Sequence, residues 1–111
     1  MGYYSDHFLL GGDFSAKEKE WAAANMARGQ ESNLAFFMAK YDSGFNARWY
    51  EIEEDMAKLS AAFPKRLYII EVVGESSPDL WRLYAKGGNV RTTIPRIVWP
   101  RTPKMDRTEA Q

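Results

Sequence analysis

Five apolar residues in the middle of the chain set the tightest limit on its fold. Trp49, Ile52, Met56, Leu59 and Phe63 follow at steps of three, four, three and four, the spacing of one face of an α-helix. Glu51, Glu54, Asp55 and Lys58 occupy the other side, with the carboxylates near the amino end, where the helix dipole favours negative charge. Pro64 closes the segment, because it has no N–H and its predecessor is driven away from helical angles. A one-sided helix has to bury its stripe against a second layer. Residues 67–73 (Leu-Tyr-Ile-Ile-Glu-Val-Val) are apolar on both alternating faces and rich in β-branched side chains, so they read as a central strand of that layer.

The rest of the chain is read around this pair. In residues 80–85, Trp81, Leu83 and Ala85 alternate with Leu80, Arg82 and Tyr84, as in a strand with two distinct faces. Lys86-Gly87-Gly88-Asn89 is hairpin chemistry, and residues 90–94 return as a strand that Pro95 confines to an edge or ends. Upstream, Ser15-Ala16-Lys17-Glu18 is a capping box that opens a helix running through Trp21 toward Arg28, with Gly29 as its stop. Residues 34–41 (Leu-Ala-Phe-Phe-Met-Ala-Lys-Tyr) form a short apolar run and read as a buried strand, followed by the turn Asp42-Ser43-Gly44. Residues 2–10 read as a short strand or an ordered arm that Gly11-Gly12 interrupts.

The expected class is α+β: a mainly antiparallel sheet of three to four strands with two helices on one face, a variant of the ferredoxin-like sandwich. Residues 1–13 form the arm or strand, 14–99 a single domain and 100–111 a flexible tail.

Composition narrows the chemistry. Hydrophobic residues make up 45% and charged residues 27% of the 111, which suits a globular domain and not a disordered chain. Without cysteine there is no disulfide, zinc-thiolate site or thiol nucleophile, and with His7 as the sole histidine a Ser-His triad lacks material. Gly11-Gly12 and Gly87-Gly88 lack the strand–loop–helix setting that cradles phosphate. No catalytic residue, metal or cofactor is therefore expected. No apolar run has the length of a membrane span, and the expected location is the cytoplasm.

Charge is balanced in total and uneven along the chain. Between residues 42 and 55, Asp42, Glu51, Glu53, Glu54 and Asp55 stand against Arg48, a local net of −4. Between 86 and 107, Lys86, Arg91, Arg96, Arg101, Lys104 and Arg107 stand against Asp106, a local net of +5. Such asymmetry orients electrostatics without making the whole chain a polyanion binder.

Four pieces of sequence resemble the YubB-type ferredoxin-like domain of small phage and conjugative-plasmid proteins, across residues 34–94. Phe37-Met38-Ala39-Lys40-Tyr41-Asp42-Ser43 is similar to its strand ending, and the helix closed by Leu59-Ser60 and Phe63-Pro64 to its middle. Tyr68-Ile69-Ile70-Glu71 looks like its second strand, and residues 81–89 look like its glycine-turn hairpin. The resemblance implies the fold and a mobile-element origin, with no catalytic residues to carry over.

Together these features suggest a small non-enzymatic protein that binds and blocks a host protein, with defence machinery such as a CRISPR effector as the natural target. The expected surface is the exposed helix face, Glu51, Glu54, Asp55 and Tyr50, joined by Phe45 and Arg48 as an aromatic–arginine patch. The alternative is a nucleic-acid-binding module using Arg82, Arg91, Arg96, Arg101 and Lys104 of the hairpin and tail, with Arg82 and Arg91 facing each other across the hairpin. The chain is expected to be a monomer or a dimer.

Overall fold

A computed structural model describes residues 4–26, 32–42, 44–75 and 79–104. It is an α+β protein with five strands and three helices among these residues: β1 (Ser5–Leu10), α1 (Ala16–Asn25), α2 (Asn33–Lys40), β2 (Phe45–Ala47), α3 (Ile52–Ala62), β3 (Tyr68–Gly74), β4 (Leu80–Lys86) and β5 (Asn89–Thr93). The strands form one open sheet in the order β2-β1-β3-β4-β5, with every pair antiparallel. Buried side chains alternate with half-buried or exposed ones along β1, β3 and β4. The helices thus cover one face only. The other face carries Phe8, Leu10, Ile69, Val73, Leu80 and Tyr84 with no helix over them.

The helix read from the central stripe is present, shortened at its start. Ile52, Met56 and Leu59 are buried, and the helix packs on β4 and β5. Trp49 precedes α3 instead of opening it, yet is buried, because its indole Nε1 donates to Asp55 Oδ2 at 2.7 Å and folds the turn back onto the helix. The Ser60 hydroxyl, at the buried side of α3, accepts the Gly88 amide at 2.9 Å, tying the β4–β5 turn to the helix. That turn has φ of 59° and 88° at Gly87 and Gly88, the left-handed pair of a tight hairpin, as the sequence suggested.

Three expectations are corrected. Residues 34–41 form the helix α2 and not a strand. Leu34, Phe37 and Met38 are its buried residues, at steps of three and one, and the Ser32 hydroxyl caps it by accepting the Ala35 amide at 3.0 Å. A uniformly apolar run does not reveal its period, but this one contains no β-branched residue, and that favours a helix. The sheet has five strands and three helices in place of three to four strands and two helices, since β1 lies inside the sheet and the three-residue β2 forms its edge. Finally, Arg82 pairs with Thr93 and Arg91 with Tyr84, so the two arginines are diagonal neighbours. The expectations for Gly29, Ser43, Arg107 and the last seven residues lie outside the described residues.

The turn into β2 needs Gly44. Its φ is +92°, and a Cβ there would come within 2.9 Å of the Phe8 ring. Between α1 and the sheet, the capping box does more than start a helix. Ser15 and Glu18 satisfy each other's amides at 3.1 and 2.7 Å, while Glu18 also takes Arg66 Nη1 at 2.7 Å and accepts a hydrogen bond from the Tyr68 hydroxyl. Burial pushes the Glu18 carboxyl up, but Tyr68, Ser15 and Arg66 outweigh it and leave it below its ordinary value. Burial and the neighbouring carboxylate raise the Tyr68 hydroxyl well above its ordinary range. Removing the charge would leave Arg66 and Tyr68 facing a buried, poorly matched partner. Glu18→Gln should lower the unfolding free energy at neutral pH by about 2–3 kcal/mol in urea denaturation, whereas Glu20→Gln on the exposed side of α1 should leave the midpoint where it is.

Candidate functional site

The amino end of α3 and one row of the sheet enclose a cavity of about 400 Å³. The row is set by strand register: His7 of β1 pairs with Val72 of β3, which pairs with Trp81 of β4. These three, with Trp49 and Ile52, make the floor and walls. Ser5, Tyr50, Glu51, Glu53 and Glu54 complete the lining, and the three glutamates and Tyr50 are exposed. Tyr50 is 66% exposed. Glu51 stands at the N-cap of α3 with no side-chain capping bond, so the first turn of the helix is not closed by its own side chain.

His7 is the unexpected member. It is only 2% exposed, its Nδ1 lies 2.8 Å from the Phe45 carbonyl, and its ring sits within 5.3–6.5 Å of the Trp49, Phe45 and Phe37 rings. Burial lowers its pKa, against smaller upward pulls from the Phe45 carbonyl and Asp6. At neutral pH the imidazole is therefore neutral, with Nδ1–H donating to Phe45 and Nε2 left as an acceptor. His7 is also one of the residues that line the cavity.

The structure divides the sequence-derived sites. Glu51, Glu54 and Tyr50 come together at the cavity. Asp55 does not offer itself to a visitor: it is half-buried, its carboxyl is raised by burial, and it holds the Trp49 indole. Phe45 is a correction as well, being a buried member of the aromatic cluster with Phe37 and Trp49 in place of an exposed anchor. Arg48 is exposed, with its guanidinium 5.0 Å from the Tyr4 ring centroid, away from the cavity lining. Of the basic set, Arg82 is engaged by Glu71 at 3.0 Å on the helix-free face. Arg91 is exposed on β5, and Arg96, Arg101 and Lys104 lie on the exposed segment 94–104 beyond the sheet.

Sequence reasoning passed over His7 and Trp81. Reading residues 5–10 as a strand would have put His7 on the face of Leu9, but its place in one row with Trp81 needs the strand order. No group of three or more His, Asp or Glu side chains among the described residues is placed to hold a metal ion, and no helix is long and apolar enough to cross a membrane. No protein-family model matches the chain, and neither a curated protein nor a solved structure is similar to it.

The buried imidazole has a measurable signature. Its folded pKa is below 6.5, so on acidification from neutrality the unfolded chain takes up this proton before the native one does. Its contribution to stability is complete above pH 6.5 and shrinks as pH falls toward the folded value. Denaturant midpoints measured from pH 7.5 down to 5.5 should fall more steeply in the natural protein than in His7→Gln, and parallel curves would contradict the neutral, buried assignment.

Proposed function

We propose that this chain is a non-enzymatic binding module that attaches to a host protein by receiving one of its basic side chains in the cavity at the start of α3, and so blocks that protein. One observation carries the reading: Glu51, Glu53 and Glu54 line a single cavity together with Trp49, Trp81 and His7. A guanidinium suits all three features. It donates to carboxylates in a planar fork, stacks on aromatic faces and can donate to the acceptor nitrogen of a neutral imidazole. Negative rims also steer a positively charged partner into encounter and penalise wrong partners.

A host protein that handles nucleic acid presents such side chains in its phosphate-binding groove, and the acidic rim would occupy them in place of phosphates. A CRISPR effector or another defence complex belongs to that class, which fits the mobile-element origin implied by the YubB-type resemblance. The ferredoxin-like relationship is part of the same proposal, supported by helices on one face of an antiparallel sheet with β1 and β3 adjacent within it. The cytoplasm is the compartment where such a target would be met.

A short arginine-containing peptide tests the site directly. Indole fluorescence should respond saturably to it, the affinity should weaken with added salt, and Glu53→Lys with Glu54→Lys should weaken it by tenfold or more. Glu20→Lys on α1 should not. Absence of any response in the natural protein would remove the cavity from the proposal.

A second reading has its own observation, the succession of exposed Arg91, Arg96, Arg101 and Lys104 along β5 and the segment beyond it. If this is a nucleic-acid surface, a gel-shift titration should show a steep salt dependence that disappears when the three arginines are replaced by alanine.

A further inference from the structure

The most exposed apolar side chains of the described residues are gathered in one place. Ile94, Ile97, Val98 and Trp99 are 76–84% exposed on the segment 94–104, an extended arm that leaves the sheet after β5. Single exposed hydrophobes are ordinary, but four within six positions, including a Trp, mark a contact surface. The arm cannot extend the sheet on its own copy, because Pro95 has no N–H to donate and Thr93 opposite Arg82 is the last pair of the β4–β5 ladder. Pro95, Pro100 and Pro103 also favour an extended backbone and resist a sharp fold back onto the same molecule.

The arm leaves the sheet at the end of the row that forms the cavity floor: Thr93 pairs with Arg82, so Ile94 follows level with Trp81, which continues the row of His7 and Val72. The groove that Ile94 and Pro95 share with Trp81 lies chiefly on the helix-free face, with Glu71, Leu80, Arg82 and Tyr84. The two surfaces are also opposite in charge. The cavity carries Glu51, Glu53 and Glu54, and the arm carries Arg96, Arg101 and Lys104. We infer that two copies of this chain exchange arms, the segment 94–101 of each lying across the acidic, aromatic cavity of the other.

A mutual exchange, in which each copy both gives its arm and receives one, closes on itself through a two-fold axis and does not propagate into a filament. Eleven extended residues reach roughly 35 Å, ample to cross onto a facing molecule. Trp99 alone would bury on the order of 200 Å², so the two exchanged Trp side chains supply about a third of the ~1,200 Å² at the lower end of specific dimers. Either Arg96 or Arg101 would supply the guanidinium to the glutamates. This inference rests on reading the cavity as a receptor for basic side chains and names a second copy as its occupant, to be displaced when a host protein binds.

Mass measurement by light scattering on the full chain tests it. The natural protein should run at about twice 12.8 kDa and dissociate on dilution or in high salt. Arg96→Glu with Arg101→Glu, and separately Glu53→Lys with Glu54→Lys, should each weaken the dimer at least tenfold. Mixing the two variants should restore it, since the reversed arm of one then meets the reversed cavity of the other and the natural pair also matches. This mixed rescue also shows that both variants are folded. A natural protein that stays monomeric at every concentration while still binding the arginine peptide overturns the exchange and leaves the cavity reading intact. A dimer that survives both charge reversals overturns it as well, because the arm then sits elsewhere.

Discussion

The position of β1 between β2 and β3 is the constraint on which the rest depends. Pairing with β3 across six residues places His7 level with Val72 and, one strand further, Trp81, while pairing with β2 delivers the Phe45 carbonyl to the imidazole. A slip of one residue would turn His7 and Leu9 to the helix-free face and bring Phe8 inward, removing both the hydrogen bond and the cavity floor. The aromatic ring contacts among His7, Phe37, Phe45 and Trp49 resist that slip, since each ring comes from a different element.

A second junction holds the opposite end. Glu18 lies in the first turn of α1, yet its carboxylate serves the Ser15 amide, Arg66 and Tyr68 together. The Arg66 guanidinium also lies over the Phe14 and Tyr68 rings at 5.6 and 4.8 Å. A helix whose apolar face is thin is thus attached by a satisfied charge cluster, with buried Ala22 and the edge-on contact of Trp21 with Phe63 adding apolar contact. This arrangement leaves the start of α3 unencumbered, so its acidic first turn faces outward at the far side of the core.

Structure and charge then separate two surfaces of opposite sign. The acidic one is concave, aromatic and fixed by the Trp49–Asp55 bond. The basic one is a linear arm with bare hydrophobic side chains. Because the acidic cavity and the basic segment lie apart, the net charge can be zero while each surface remains strongly polarised.

Local pattern was enough for the central helix, the β3–β5 strands with their glycine turn, and the capping box, because each depends on the spacing of neighbours within one element. It was enough, too, for the exposure of Glu51, Glu54 and Tyr50. Pattern failed at residues 34–41, where a run apolar throughout hides its period, and at residues 45–47, where three residues are too few to show one. It also misplaced Phe45 and Asp55. A side chain beside a turn looks exposed until the strand order shows what covers it. The sequence by itself determined which segments are amphipathic and where the charges lie. Only the tertiary structure decided that β1 enters the sheet, that Glu18 is interior and that His7 and Trp81 share one row of the sheet, because those arrangements join residues far apart in the chain through hydrogen-bond register that no local spacing encodes.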